Sequence, residues 1–300
     1  MPARDESKTL LDDHAVEDYA ETACADLQGT STAAASDRES SQTSTSRGGS
    51  RREGDAVEAE ALPITPPLGT ECRDSYRCIV DYRGAPYKVT WRGKQQYPDF
   101  SQFPRFAADA DAGAVAARLP QSPEMTSLWK ASTLVDFGSY ASIRRHSTSR
   151  CPAFPMVKLA HPDDQARRIL QHEFAVLCRL MDLVDRGLDL PVVRMDPEPI
   201  VDGGVLCGFR MEELIKLPVV DFATRKDDAT AALQQLHAAG FSHGDVQPSN
   251  FMQDKTGRIV LIDFGFAGRI GHELPLFFPR CVYESSMFHK DADMAALSKW

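Results

Sequence analysis

Residues 243–250 read His-Gly-Asp-Val-Gln-Pro-Ser-Asn, and residues 261–265 follow with Leu-Ile-Asp-Phe-Gly. The two segments place three oxygen-bearing side chains, Asp245, Asn250 and Asp263, within a short window. A proline closes a loop around the first two, and the third ends an apolar run that is typical of a buried strand. Amide and carboxylate oxygens are ligands that Mg²⁺ prefers, so the window predicts a magnesium site beside a further carboxylate.

This set of side chains suits one class of reaction. Transfer of the γ-phosphoryl group of ATP needs metal ions that neutralise the phosphates and a group that orients the accepting hydroxyl. Two metal-binding side chains and one carboxylate that accepts a proton meet those needs. The window therefore predicts phosphoryl transfer.

Composition narrows the class of protein. The chain has 300 residues, of which 42% are hydrophobic and 26% charged, as expected for one or two globular domains. A net charge of -9 argues against a nucleic-acid partner, because phosphate backbones demand a basic surface. The seven cysteines include no Cys-x-x-Cys pair, so a zinc or redox motif has little support. We find no secretory signal and no apolar run near the roughly 18 residues of a membrane span, and expect a soluble cytoplasmic or nuclear protein.

Three regions follow from the distribution of residue types. Residues 1–60 are predicted to be a disordered tail, because their Ser- and Thr-rich part nearly lacks large apolar side chains. Residues 61–130 form an extension in which alternating residues 78–91 predict a β-hairpin, and residues 107–119 a short helix. Residues 131–300 carry the motifs and form the third region.

Local patterns divide that third region into strands and helices. Residues 134–143 predict a strand, a tight turn and a second strand, and residues 154–160 predict a third strand. Further strands are predicted at residues 191–195, 204–211 and 259–262.

A helix opens after an aspartate N-cap at Asp163 or Asp164. Its apolar residues share one face, and Glu173 lies on that same face; the apolar residues are Leu170, Leu177, Leu180 and Val184. A carboxylate on an inward face needs a cationic partner, unless it reaches solvent at the helix edge. A second helix is predicted over residues 228–239, with Gly240 as its stop.

The motif His-x-Asp-x-x-Pro-x-Asn at residues 243–250, followed by Asp-Phe-Gly at residues 263–265, resembles the catalytic loop and magnesium motif of the protein kinase-like superfamily. The resemblance covers residues 133–300. It implies an α+β fold of two lobes, with a β-rich N-lobe at about residues 131–213 and a shortened, helical C-lobe at about residues 214–300.

The resemblance also implies roles for particular residues. Asp245 resembles the base that accepts or orients the hydroxyl proton, while Asn250 and Asp263 resemble the two metal ligands. Lys158, in Val-Lys-Leu, resembles the lysine that pairs with the nucleotide phosphates, and Glu173 would be its ion-pair partner.

Other implied roles concern the nucleotide and the support of the loop. Gly138 resembles the middle glycine of the phosphate-covering loop. Met211 and Glu212 lie in a segment that resembles the hinge, whose backbone bonds the adenine ring. His243 resembles the histidine that braces the catalytic loop, and Asp291 or Asp293 would brace the loop from the last helix.

The sequence departs from the family pattern at several positions. Asp136 and Ala141 stand where the phosphate-covering loop has glycines. Gly244 replaces an arginine that would bind a phosphorylated activation loop, and Gln247 replaces a lysine that steadies the γ-phosphate. After Gly265 only 300 − 265 = 35 residues remain, which predicts a reduced C-lobe.

These observations predict an ATP- and Mg²⁺-dependent phosphotransferase. Its partners would be ATP and a hydroxyl-bearing acceptor, which we expect to be a protein Ser or Thr, with no nucleic acid and no membrane span. The His-Gly-Asp sequence and the missing lysine favour a small-molecule kinase of the choline or aminoglycoside type instead. The altered glycine loop favours a third reading, a pseudokinase that acts as a binding module.

Overall fold

The computed structural model of the chain describes residues 60–61, 75–92, 98, 100, 103, 114–147, 152–279 and 285–300. The predicted disordered tail lies outside these residues, except at Glu60. The division of the chain at residues 60 and 130 stays a prediction. No helix within these ranges is long and apolar enough to cross a membrane.

The first sheet is antiparallel and contains the predicted hairpin. Its strands lie in sequence order: β1 (Glu60–Ala61), β2 (Ser75–Tyr82), β3 (Ala85–Arg92) and β4 (Val115–Arg118). The turn between β2 and β3 consists of Arg83 and Gly84, with φ of 51° and 68°. Two residues with positive φ match the right-handed twist of the flanking strands, which is why such turns are common in hairpins. We call β1–β4 the accessory sheet.

The helix predicted over residues 107–119 is wrong where the structure describes that segment. Val115–Arg118 is strand β4, which pairs with β3 and covers part of its edge. The helix begins later, as α1 at Pro123–Lys130. Its start has a local signal, because the Ser122 side chain accepts a hydrogen bond from the Met125 N–H and a proline occupies the first turn.

The second sheet, the N-lobe sheet, has five antiparallel strands in the order β5-β6-β7-β9-β8. They are β5 (Ser132–Phe137), β6 (Ala141–His146), β7 (Met156–Ala160), β8 (Ile200–Asp202) and β9 (Val205–Met211). The predicted strands over residues 134–143, 154–160 and 204–211 are confirmed, whereas the pattern gave no sign of β8.

Helix α2 (Asp164–Asp185) packs beside this sheet. Asp163 caps it, since its carboxylate accepts the Ala166 N–H at 2.9 Å, as the sequence predicts. The inward face is apolar apart from Glu173, which is only 2% exposed. The prediction that Glu173 points inward is therefore confirmed.

The face of the N-lobe sheet opposite Lys158 is covered by the region before it. Trp129 of α1 packs on Val157 and Leu159 of β7. Arg144 of β6 is fully buried there, donates to Asp81 Oδ2 of β2 at 3.0 Å, and lies 3.6 Å from the centre of the Trp129 ring. The accessory sheet is thus anchored to the N-lobe sheet through an ion pair whose arginine is fully buried.

In the described part of the remainder, three α-helices accompany two small sheets. The C-lobe sheet has the order β10-β12-β13, and β11 pairs with β14. The strands are β10 (Ile215–Lys216), β11 (Phe241–Ser242), β12 (Phe251–Gln253), β13 (Ile259–Leu261) and β14 (Gly268–Arg269). The helices are α3 (Val219–Phe222), α4 (Lys226–Ala238) and α5 (Lys290–Ser298). This mixture of a β-rich part and a helical part confirms the predicted α+β class.

The strand predicted at residues 191–195 is wrong, although the segment is extended. It forms single bridges to two different sheets, from Val192 to Leu261 of β13 and from Met195 to Met211 of β9. Because the segment changes partner after one bridge, it cannot continue as a strand of either sheet. It connects the N-lobe sheet to the C-lobe sheet.

Candidate active site

The loop between β11 and β12 holds Asp245 in a fixed position. The Asn250 amide Nδ2 donates to the Asp245 backbone oxygen at 2.8 Å and to its Oδ2 at 3.0 Å. Gln247 Nε2 also donates to Oδ2, at 3.0 Å. A 3₁₀ turn at Pro248–Asn250 brings Asn250 back towards Asp245. One carboxylate oxygen is therefore held by amides, and Oδ1 lies outside these bonds.

Asp293 of helix α5 binds the start of this loop. Asp293 is 1% exposed, and its Oδ2 accepts the His243 N–H at 2.7 Å while its Oδ1 accepts the Gly244 N–H at 2.8 Å. His237 Nε2 of α4 and the Ser242 hydroxyl also bond Oδ2, at 2.8 and 3.1 Å. Burial would raise the pKa of Asp293, but these bonds hold the pKa below its usual value. Of the two aspartates predicted to brace the loop, Asp293 fills that position and Asp291 is exposed.

His243 connects the loop to the Asp-Phe-Gly segment. Its Nε2 donates to the Ile262 carbonyl at 2.9 Å, and its Nδ1 accepts the Asp245 N–H at 3.3 Å. These two bonds define a neutral tautomer with the proton on Nε2. The His243 ring also lies 5.1 Å from the Phe264 ring, centre to centre.

Lys158 brings two carboxylates together from opposite sides of the cleft. Its Nζ lies 2.7 Å from Glu173 Oε1 and 2.9 Å from Asp263 Oδ1. Glu173 Oε1 also accepts the Phe264 N–H at 3.2 Å. Asp263 adopts a left-handed backbone conformation, with φ of 64° and ψ of 68°, which is uncommon for a residue other than glycine. The surrounding contacts hold it there, as is common at functional sites.

Lys158, Glu173 and Asp263 form a triad in which neighbouring charges shift the pKa of each group. Burial would lower the pKa of Lys158, but Asp263 and Glu173 together raise the pKa above its usual value. Burial raises the pKa of Glu173 to about 7, against the opposing effect of Lys158. Burial would also raise the pKa of Asp263, yet Lys158 outweighs it and the pKa lies below its usual value. Asp263 is thus the carboxylate of the triad that keeps its charge at lower pH, and its side chain is 44% exposed.

The pKa of Asp245 is shifted in the direction opposite to that of Asp263. Burial and the negative charge of Asp263 raise its pKa, and the hydrogen bonds from Asn250 and Gln247 offset only part of that rise. A carboxylate with a raised pKa is a better proton acceptor than an ordinary aspartate. Asp245 therefore has the electrostatic setting of a general base.

The donor atoms near this loop fit Mg²⁺. The side-chain nitrogen Nδ2 of Asn250 makes two hydrogen bonds to Asp245. The side-chain oxygen Oδ1 of Asn250 is therefore the atom that would bind a cation. Asp263 pairs with Lys158 through Oδ1 and also accepts the Gly265 N–H, so a metal would bind the remaining lone pairs of this carboxylate. Among the described residues, no cluster of three His, Cys, Asp or Glu side chains is arranged to hold a metal. Asn250 and Asp263 would hold Mg²⁺ here, and the ion would supply positive charge beside Asp245.

Three predicted nucleotide-site residues lie elsewhere along the N-lobe sheet. Gly138 is in the turn between β5 and β6, where its N–H donates to the Ala141 carbonyl at 2.8 Å. Met211 ends β9, two residues after Phe209, which pairs with Lys158. Glu212 follows, and its N–H donates to the Arg194 carbonyl at 3.0 Å. Met211 shares the face of Lys158, because alternate strand residues point to one side.

Two crevices lie on the opposite face of the N-lobe sheet. Their volumes are about 80 and 50 Å³, and they share Ile79, Leu119 and His161 among their lining residues. Leu159, which lines the smaller one, neighbours Lys158 in β7 and points away from it. These crevices are therefore separate from the cluster of Lys158, Asp245 and Asp263.

Sequence reasoning missed some contributors to the site. Gly244 has a φ of 78°, so a glycine suits this position, where the family pattern has an arginine. His237 bonds Asp293 from 56 positions away in the sequence, and no local pattern marks such a contact.

The comparison with protein-family models gives one match. Residues 223–297 match the model described as "ABC1 atypical kinase-like domain". The matched segment contains Asp245, Asn250, Asp263 and Asp293, whereas Lys158 and Glu173 precede it.

Curated relatives match over short segments. The chain is 51% identical over 37 residues to "Cell cycle protein kinase DBF2" of Candida albicans, which is 12% of this chain and 5% of that protein. It is 46% identical over 43 residues to "Serine/threonine-protein kinase DBF20" of Saccharomyces cerevisiae, 14% of this chain and 8% of that protein. The matches therefore span less than a tenth of either relative. A crystal structure of a kinase domain aligns with a TM-score of 0.37 and 16% identity, over 48% of this chain and 52% of that one.

Proposed function

We propose that this chain belongs to the protein kinase-like superfamily and transfers the γ-phosphoryl group of ATP to a hydroxyl acceptor with the help of Mg²⁺, as the family match over residues 223–297 supports. One observation carries the proposal. Lys158 of the N-lobe sheet holds both Glu173 of α2 and Asp263 of the C-lobe, at 2.7 and 2.9 Å. Such an ion-pair arrangement is what a competent phosphoryl-transfer site needs in place.

Residues of both lobes take the remaining roles. Asp245 accepts the proton of the incoming hydroxyl, and Asn250 and Asp263 would hold Mg²⁺. Lys158 neutralises the phosphates, while Met211 and Glu212 border the base and Gly138 covers the phosphates. The bound metal supplies charge neutralisation at the transferred group.

The acceptor we propose is a Ser or Thr hydroxyl of a protein. Pro248 between Asp245 and Asn250 supports protein-kinase-like ancestry for the loop. Gln247 donates a hydrogen bond to Asp245 but brings no positive charge to the γ-phosphate. We therefore expect a slow enzyme, because a missing charge lowers transition-state stabilisation.

The test is transfer of labelled γ-phosphate by the full chain with MgCl₂, to a mixture of unstructured proteins and separately to small alcohols and aminoglycosides. Asp245→Ala should reduce transfer by roughly 10²-fold or more, the usual contribution of a positioned base. Asp291→Asn is the matched control, since Asp291 is an exposed aspartate of α5. Equal rates in wild type and Asp245→Ala would contradict the catalytic proposal. Labelling of the small acceptors alone would show that the substrate is a small molecule and not a protein.

A second candidate function is a nucleotide-binding pseudokinase. The observation that favours it lies in the phosphate-covering loop, where two N–H groups are already used. Phe137 N–H donates to Asp136 Oδ1 and Gly138 N–H donates to the Ala141 carbonyl, both at 2.8 Å. Binding without transfer would appear as thermal stabilisation by Mg-ATP, about 2.7 kcal/mol at a hundredfold excess over Kd, with no labelled product.

A further inference from the structure

Asp136 is a charged residue of the edge strand β5, beside the cleft. In antiparallel strands, residues that pair directly lie on one face of the sheet. Asp136 pairs with Ile143, Ile143 with Lys158, and Lys158 with Phe209, so the four side chains form one row on the cleft face. Asp136 lies two strands from Lys158, on the order of 10 Å away.

A local irregularity puts Asp136 on that face. The pairing of β5 with β6 shifts between Leu134 and Asp136, which leaves Val135 as an extra, exposed residue. Leu134 accordingly packs on the far face with Phe137 and Ile79 of the accessory sheet. Without the bulge, Asp136 would share the face of Leu134, because a register slip moves a side chain across the sheet.

The Asp136 carboxylate joins the two lobes. Its Oδ1 accepts the Phe137 N–H, and its Oδ2 lies 2.5 Å from Lys216 Nζ. Lys216 belongs to β10, which pairs with β12 directly after the catalytic loop. A second ion pair joins Arg145 of β6 to Glu213. It therefore also connects the β5–β6 hairpin to the segment at residues 213–216.

We propose that the Asp136–Lys216 ion pair is a clasp across the edge of the nucleotide cleft, which opens for a nucleotide to enter or leave and neutralises Asp136 when closed. The proposal rests on the proposed nucleotide site. It assigns Lys216 a role in charge selection, because an unpaired Asp136 would repel nucleotide phosphates from its place in the row with Lys158.

The two partners therefore differ in their expected effects. Lys216→Gln breaks the clasp and leaves Asp136 unpaired, so the dissociation rate of the nucleotide should rise and its affinity should fall, more for ATP than for ADP. Asp136→Asn breaks the clasp and removes the repelling charge, so dissociation should rise while affinity is kept or increased. Changes of about two- to fivefold are expected from one exposed ion pair.

The experiment is stopped-flow binding of a fluorescent ADP analogue with MgCl₂ to the full chain, with ATP competition for affinity. The variants are Asp136→Asn, Lys216→Gln and the double variant. Asp189→Asn is the matched control, because Asp189 forms an exposed ion pair with Arg258, also at 2.5 Å. The double variant should dissociate no faster than the faster single variant, and 0.5 M NaCl should bring the wild type close to them.

The outcomes separate the clasp from the site itself. Dissociation rates equal to those of Asp189→Asn, or equal affinity changes in both single variants, would overturn the clasp while leaving nucleotide binding intact. A wild type that binds no nucleotide would count against the proposed function. In that case, binding regained by Asp136→Asn would support a closed clasp, and no binding by any variant would overturn it too.

Discussion

Asp293 accepts the backbone N–H of His243 at 2.7 Å, so a side chain of α5 fixes the start of the loop that carries Asp245. We expect Asp293→Asn to lower the free energy of unfolding by about 2–3 kcal/mol, because a charged acceptor is lost and an amide N–H₂ meets other donors. Urea unfolding measures this. Asp291→Asn, on the exposed side of the same helix, should change it by less than about 0.5 kcal/mol.

The same carboxylate should make stability depend on acidity. The folded pKa of Asp293 lies below its unfolded value of about 3.9, so its contribution is complete above that pH and is lost as pH falls through the folded pKa. The difference in unfolding free energy between wild type and Asp293→Asn should shrink as the pH falls below about 4. A difference that grows towards low pH would contradict this assignment.

Arg144 should be intolerant of lysine. Its guanidinium bonds Asp81, Ser132 and the Trp129 carbonyl together, a fork that an ammonium group cannot reproduce. We expect Arg144→Lys to cost about 2–4 kcal/mol of unfolding free energy. It should also expose the accessory hairpin to limited proteolysis.

The neighbouring residue supplies the comparison for Arg144. Arg145→Lys changes an exposed ion pair on the same strand and should cost less than about 1 kcal/mol. Similar losses in the two variants would mean that the buried fork adds nothing beyond charge.

Gly268 has no room for a side chain. A Cβ at this position would lie 2.3 to 2.7 Å from ring atoms of Phe288. Gly268→Ala should therefore destabilise the protein by about 1–3 kcal/mol through overpacking. Combining it with Phe288→Leu should cost less than the sum of the two single changes in thermal unfolding, whereas strict additivity would show that the ring is not the obstacle.

The sequence predicts the interior of the site because the relevant periodicities are local. Strand alternation and helical spacing place Lys158 on β7 and Glu173 on the inward face of α2. The loop motif likewise identifies Asp245, Asn250 and Asp263 as neighbours. What these patterns specify is which face each side chain occupies, and the 2.7 Å contact between Lys158 and Glu173 follows once the faces meet.

Other features depend on contacts that no local pattern encodes. The bulge at Val135 reverses the face of Asp136, so simple alternation places that carboxylate on the wrong side. The segment at residues 191–195 has the composition of a strand but alternates between two sheets. Both exceptions arise from tertiary packing, which overrides local propensity.

The two bridges of residues 191–195 form a short tether between the lobes. Val192 is attached to β13 and Met195 to β9, and three residues of extended chain span at most roughly 11 Å. A tether of that length would let the lobes rotate about it while keeping them from separating, and so would serve as a pivot.

Distance from that pivot determines what rotation changes. Asp263 lies two residues after β13, and Lys158 lies on β7, the strand next to β9, so both ends of their ion pair are near the axis. Asp136, on the edge strand β5, lies farther out. A small rotation of one lobe against the other would thus widen the outer edge of the cleft at Asp136. The Lys158–Asp263 contact would stay nearly constant, because displacement grows with distance from the axis.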